Sequence, residues 1–598
     1  MVENLNPNLL NMLGINTNII KPIVDNTPLY SPFKLPIRYI NQSEVFPLSK
    51  TVSDDLELLV SDSTSMYEHL FEPTNSFSKQ MLQEWGTHYT TNIEFLKDTQ
   101  DVLRENPIES LYPLDCSNIM SIYNDLKTPN FLEKYNFVEW KTLSNLNESP
   151  LFLQIFSMAN LLSPIMSLFV PLLFLLVPFL ILKIQQRQIT FEVYVDVLKN
   201  IAKHHFIGKT ITNMQSFSIE KLFYIGFTLA FYVIQVYQNS ILCNRFYKNI
   251  KLINKRLIDI GLYLKSTLHS MNRFIELHST KKTYTNFCKD VESHTIQLSE
   301  ILTYIEDIGE FKYNLQTLGN IGYMLKCYYA LHSNNEYEKS IRYSIGFNGY
   351  INNMRGIFDN IQKGHLAFAV FDTSKTVEFK DQYHPSLKNN KDVVKNNCEM
   401  NKNMIITGVN ASGKTTFLKT TMINIIFTQQ FGVGFYSGCV INPYEYIHSY
   451  INIPDTSERD SLFQAEARRC KSIIDIINEK SNARHFCIFD ELYSGTNFDD
   501  ATKSSYSFLV YLCKRKNVSF ILTTHIKKLC KRLRKLKYKN NQSIIQNYKM
   551  DVVETPFSGL EYTYRIKKGI STIEGGIYIL NGLNYPEEIL NEFRNYKK

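Results

Sequence analysis

Apolar residues follow three rhythms along this chain, and each rhythm predicts a different element. Between Leu161 and Leu182 they form a continuous uncharged run, and a second uncharged run, more polar and more aromatic, extends from Leu222 to Cys243 between Lys221 and Arg245. From about Phe246 to Asn360 apolar and charged positions alternate at helical spacing, as in Ile250 to Leu264 and Ile296 to Ile308, which predicts amphipathic helices. Beyond residue 364 the apolar runs shorten. Met404 to Thr407, His485 to Phe489 and Val518 to Thr524 read as buried strands of a parallel sheet.

The first long run has the length of a membrane-spanning helix. Pro164, Pro171 and Pro178 would break such a helix in water, whereas in lipid they are tolerated where neighbours satisfy the freed carbonyls. If both runs span, they form a hairpin with Lys183 to Lys221 as its loop and both chain ends in one compartment. If only the first spans, the basic residues after it keep the C-terminal part cytoplasmic and place the N-terminal region across the membrane. The alternative for both runs is a helix buried in a large helical core. The stretch from Ser53 to Leu103 has mixed helical signals around Trp85 and offers no chemistry.

The strand Met404 to Thr407 runs into Gly408-x-x-x-x-Gly413-Lys414-Thr415, a phosphate-binding loop followed by a helical run from Thr416 to Ile426. Amides of this turn, through Asn410, Ala411, Ser412, Gly413 and Thr416, are expected to point at the phosphates of ATP. Lys414 would reach the terminal phosphates, and Thr415 would hold Mg2+. The strand ending in Asp490-Glu491 would add a carboxylate that binds the metal through water and, in Glu491, a base for the attacking water. His525, at the end of the third strand, would sense the γ-phosphate. Alone, it would read as an ordinary histidine at a strand end.

A chain of 598 residues is too long for one core, so three or four domains are expected. The net charge of +8 is modest for this size and does not by itself announce nucleic acid. Ten cysteines without a Cys-x-x-Cys pair point to reduced thiols in an intracellular compartment and against a zinc site. Met1 to Val24 is polar and lacks the pattern of a secretory signal.

Together these motifs resemble the ATPase domain of the MutS family, the mismatch-recognition and related ATPases of the ABC class. Thr407 to Thr416 is similar to the family's phosphate loop, with Val409 where proline is usual and Thr415 where serine is usual. Ser461-Leu-Phe-Gln-Ala-Glu466 resembles the family's Ser-Thr-Phe-x-x-Glu segment, whose serine reaches the ATP of the partner subunit. Asp490 to Asn497 resembles Asp-Glu-x-x-x-Gly-Thr, and Thr524-His525 resembles the closing Thr-His. Tyr383-His-Pro385 with Val394 to Asn397, and Tyr564 to Gly569 with Gly576 to Leu590, look like the family's flanking landmarks.

The resemblance implies a Mg2+-dependent ATPase with composite sites formed by a homodimer or heterodimer of MutS-type subunits. The catalytic residues would be Glu491, His525 and Lys414, and helical arms would clamp and release DNA. The plan of an apolar segment before a MutS ATPase is similar to a subgroup of bacteria and giant viruses. The expected fold is therefore multidomain. Residues 1–150 would be a mostly helical region, 151–245 one or two transmembrane helices, 246–363 an α-helical core and lever, and 364–598 the α/β P-loop ATPase domain with a short helical tail.

DNA reading is less legible. Phe131-Leu-Glu133 and Phe137-Val-Glu139 fit the family's Phe-x-Glu mismatch motif but lack the strand that presents it, and they read as coincidental. The basic run with Lys527, Lys528, Lys531, Arg532 and Arg534 either touches phosphates of DNA or lipid or is the solvated face of a helix. Two functions remain: a clamp for mismatched or otherwise structured DNA, membrane-tethered or soluble, and a membrane remodelling or scaffolding ATPase that has lost mismatch recognition.

Overall fold

The computed structural model describes residues 30–598 apart from 106–110, 112–114, 185, 187–189, 205–218, 313, 375, 452, 454–460, 537–542, 556–558, 574 and 597–598. The described residues form two compact units whose segments interleave along the sequence.

The first unit draws on residues 111–268 and 296–341 and is helical. Helix α1 spans Pro150–Ile184, and α2 begins at Ile219 in a 60-residue helix ending at His278. α1 continues through all three prolines, which recur every seven residues and so lie on one face. Each proline leaves the carbonyl four residues earlier without its helical donor. For Pro164 that carbonyl is Asn160's, and the Ser163 hydroxyl donates to it at 2.9 Å. For Pro171 it is Ser167's, and the Tyr232 hydroxyl of α2 donates to it at 3.2 Å.

The Cys243 thiol also reaches the Leu161 carbonyl, so the two apolar runs lie side by side. They are not the interior of a helical core. Met166 and Leu168 on α1 and Phe223 and Phe227 on α2 are exposed, Phe227 by 71 %. Past Cys243 the pattern on α2 changes, and Phe246, Ile250, Ile253, Leu257 and Leu264 are buried at helical spacing. Among the described residues, Pro150–Phe169 is the window long and apolar enough to cross a membrane. Phe131 is fully buried with its ring 4.0 Å from that of His332, and Phe137 is buried too, so neither tripeptide offers an aromatic wedge.

The second unit contains residues 29–110, 269–295 and 342–598. Its larger sheet has strands β1 (Asn403–Thr407), β2 (Tyr446–Tyr450), β3 (His485–Asp490), β4 (Val518–Thr523), β5 (Ile545–Thr555) and β6 (Gly559–Lys568), in the order β6-β5-β1-β4-β3-β2. All neighbours are parallel except β5 and β6, and the three apolar runs read as strands are β1, β3 and β4. A five-stranded sheet built from residues 367–441 accompanies it.

Helix α3, Lys414–Phe431, is buried around nearly its whole circumference and carries polar residues there. Such groups are tolerable only when paired. Gln429 Nε2 donates to the carbonyls of Thr90 and Tyr444, and Gln430 Nε2 to those of Trp85 and His88. The Tyr67 hydroxyl donates to Gln430 Oε1 at 3.0 Å, and the Trp85 ring centre lies 4.7 Å from that of Phe431. The stretch without recognisable chemistry thus encloses the helix that follows the phosphate loop.

Candidate functional site

All five residues of β1 are buried, and the chain leaves the sheet at Thr407. A Cβ on Gly408 would lie 2.8 Å from Ser412 Oγ, Ala411 has φ +60°, and Gly413 has φ +92°. The loop therefore needs glycine at Gly413, where the left-handed backbone opens α3. No side chain caps α3, so its first amides are free to meet an anion. Asn410, Ala411, Ser412, Gly413, Lys414, Thr415 and Thr416 all line a cavity of about 540 Å³, together with Glu491. That volume suits a nucleotide-sized ligand.

Thr415 Oγ1 donates to Asp490 Oδ2 at 2.7 Å, and the Thr523 hydroxyl donates to Asp490 Oδ1. A hydroxyl beside a carboxylate is the oxygen-only donor set that suits Mg2+. Among the described residues no group of three or more His, Cys, Asp or Glu forms a dedicated metal cage. A cation held here would therefore complete its shell with phosphate and water, as Mg2+ does.

The Lys414 ammonium donates to the carbonyls of Gly408 and Val409 at 3.2 Å, and burial pulls its pKa down against the opposing pull of Glu491 and Asp490. His525 Nε2 lies 2.8 Å from Glu491 Oε1 and 3.1 Å from Lys414 Nζ. A carboxylate only accepts and an ammonium only donates, so Nε2 donates to Glu491 when it bears a proton or accepts from Lys414 when it does not, and the two contacts are alternatives. The hydrogen bond from His525, with the nearby charges of His525 and Lys414, holds the Glu491 carboxyl below the ordinary 4.5 despite partial burial. Glu491 and Tyr493 have φ of +52° and +57°, so the loop after β3 is held in a conformation that non-glycine residues rarely adopt.

The remaining sequence candidates lie elsewhere. Gly408 borders a second cleft with Val409, Thr524, His525 and Lys527. Ser461 is the exposed N-cap of α4, Leu462–Glu479, where its hydroxyl accepts from the Gln464 amide, and it does not line the cavity. In α5, Lys527–Leu533, the residues Leu529, Cys530 and Leu533 are buried, while Lys528, Lys531 and Arg532, with Arg534 just beyond, are exposed. This is an amphipathic helix with a solvated basic face. Lys527 is engaged with the Thr572 carbonyl.

Sequence reasoning assigned no role to His384 or Tyr564, which also line the cavity, although both belong to segments quoted as landmarks. Burial pushes His384 down to about 4, leaving it a neutral wall. Tyr564 approaches Gly413 only because β6 folds back along β5, a pairing that no local spacing announces.

A phosphate loop between β1 and α3, facing acids at the end of a parallel strand, defines a P-loop nucleotide-binding domain. Residues 404–598 match the sequence model of MutS domain V. Residues 404–598 are thus similar to domain V of the MutS family, and the relatives match this chain over about the same length. It is 28 % identical over 222 residues to a DNA mismatch repair protein MutS of Persephonella marina, covering 36 % of this chain and 24 % of that protein. It is 24 % identical over 234 residues to a mitochondrial DNA mismatch repair protein mutS homolog of Sarcophyton glaucum, covering 38 % and 22 %. A Staphylococcus saprophyticus MutS is 25 % identical over 241 residues, covering 38 % and 26 %. The match thus spans about a quarter of each relative's length.

Proposed function

We propose that this chain is a Mg2+-dependent ATPase of the MutS type that acts as a homodimer or heterodimer and drives a clamp-like motion on DNA. The observation that carries the reading is the convergence of Lys414, Thr415, Asp490, Glu491 and His525 on the phosphate loop. In this reading Lys414 exchanges its two carbonyl acceptors for the β- and γ-phosphates of ATP. Thr415 and Asp490 would hold Mg2+, which neutralises phosphate charge when bound. Glu491 orients the attacking water and takes its proton once His525 turns from it toward the γ-phosphate. Ser461, exposed and outside its own cavity, completes the partner's site.

A membrane tether is part of the same proposal, and it fits the MutS-related subgroup with an apolar N-terminal segment. Apolar faces turned outward along α1 and α2, and the pairing of the carbonyls that Pro164 and Pro171 free, suit a hairpin in lipid. The ATPase would then face the cytoplasm. A second reading, a membrane remodelling or scaffolding ATPase without mismatch recognition, is favoured by the burial of Phe131 and Phe137.

ATP turnover by the full chain in mild detergent, with perfect, mismatched and branched duplexes and Glu491→Gln as blank, separates the two. Stimulation by one DNA class supports the clamp. Turnover indifferent to DNA but raised by liposomes supports the membrane task, and no Mg2+-dependent turnover sinks both.

A further inference from the structure

Glu466 lies in the second turn of α4, five residues after Ser461, and only 2 % of it is exposed. Its carboxylate faces neither solvent nor its own helix. Oε1 accepts the Ser494 amide and the Ser494 hydroxyl, each at 2.9 Å, and Oε2 accepts the Gly495 amide at 3.1 Å. Hydrogen bonds to an ionised acceptor are the stronger kind, and here both oxygens are engaged by one short segment.

That segment is the end of the strained loop that carries Glu491. It is also tied by the Glu491 amide to the Thr523 carbonyl at 3.1 Å, by the Tyr493 amide to the Tyr450 hydroxyl at 3.2 Å, and by the Ser505 hydroxyl, which donates to the Leu492 carbonyl at 3.2 Å. Contact with α4 is close as well. A Cβ on Gly495 would fall 2.6 Å from Leu462 Cγ and 2.9 Å from the Phe463 amide nitrogen, so the first two residues of the helix press on the loop backbone. With hydrogen bonds on one side and hard contact on the other, the start of α4 and residues 491–495 have no slack between them.

We propose that Glu466 is a positioning residue that couples Ser461 to Glu491. A shift of the α4 N-terminus carries the 491–495 loop with it, so the nucleotide that Ser461 meets on a second subunit sets the water-activating carboxylate on this one. The inference rests on the composite-site reading of Ser461.

Glu466→Gln keeps the shape but turns one acceptor into a donor facing an amide. The expected result is a fall in kcat of tenfold or more, with KM for ATP and the melting temperature nearly unchanged. Combined with Ser461→Ala, the loss should be no larger than that of the worse single variant. Losses that multiply, or a kcat that falls only in step with melting temperature, overturn the proposal.

Hydrogen exchange of residues 491–496 with a non-hydrolysable ATP analogue reads the coupling without turnover. The analogue should alter exchange in the wild type and leave it unaltered in Ser461→Ala and Glu466→Gln. A wild type that turns over no ATP but keeps this pattern refutes the ATPase reading and leaves the coupling standing. Normal turnover with an unchanged pattern in Glu466→Gln refutes the coupling alone.

Discussion

The Thr415 hydroxyl reaches the Asp490 carboxylate at 2.7 Å although the residues come from α3 and β3, with β4 between β3 and the strand that feeds α3. The contact exists because β1 and β3 run parallel and end at the same edge of the sheet, which puts a helix start beside a strand end. If this pair holds Mg2+, Asp490→Asn should raise the Mg2+ concentration for half-maximal turnover by roughly 10–100-fold, the usual effect of losing an outer-shell partner. A metal titration of ATP hydrolysis checks it, and an unchanged midpoint would remove Asp490 from the metal site.

Glu491→Gln should lower kcat by about 10²–10⁴, the range that general base catalysis supplies, while ATP stays bound. Single-turnover hydrolysis together with retention of labelled nucleotide tests both parts. Near-normal turnover would mean that another group activates the water.

Buried histidines should make the fold acid-sensitive. Burial lowers His278 to about 4 and His448 to about 3, and His384 is held at about 4 by the same cause. The ordinary value is 6.5, so between 6.5 and about 4 the unfolded chain binds protons that the folded chain refuses. Stability is then fully present above pH 6.5 and lost as pH falls toward the folded values. Melting temperature measured from pH 7.5 to 5 should drop below 6.5, and His448→Phe should flatten part of the slope.

Trp85→Ala should destabilise the chain by about 3–5 kcal/mol, as truncation of a buried aromatic does. Trp85 is 6 % exposed and packs on Phe431 at the end of α3. Urea denaturation with an ATP-binding readout measures the loss, and a change within about 0.5 kcal/mol, the size of an ordinary surface substitution, would contradict this packing.

The Tyr232 hydroxyl is the donor from α2 to the Ser167 carbonyl freed by Pro171. Tyr232→Phe removes it and should weaken the helix pair by roughly 1 kcal/mol, as interhelical hydrogen bonds in lipid do. Thermal unfolding in detergent micelles reads it, and an identical midpoint would say that the contact carries no weight.

The phosphate loop was legible in sequence because its chemistry is local, with strand, turn, lysine and hydroxyl consecutive from Met404 to Thr415. Asp490, Glu491 and His525 were legible for the same reason, each at the end of an apolar run. Glu466 was quoted only as a motif letter, since its partners Ser494 and Gly495 lie 28 and 29 residues away and meet it through tertiary packing. A helix running through the three prolines was expected from its apolar length, but the hydroxyls of Ser163 and Tyr232 that meet the carbonyls freed by Pro164 and Pro171 could not be named, because Tyr232 reaches α1 only through packing. Between Ser53 and Leu103 the spacing of apolar residues announces helices but cannot name what they cover.

What they cover has a consequence for where such a domain could be cut free. Tyr67 and Gln430 are hydrogen-bonded across 363 residues of chain, and Gln100 ties the Gly432 carbonyl that ends α3. The phosphate-loop domain is therefore not self-contained from residue 364 onward, since its central helix is closed over by residues 67–100. A transplant beginning at residue 364 would carry every candidate site residue and still strip Phe427, Phe431, Gln429 and Gln430 of the partners that Tyr67, Phe71, Trp85, His88 and Thr90 supply. Any graft of this domain would have to bring a substitute for that enclosure along with the phosphate loop.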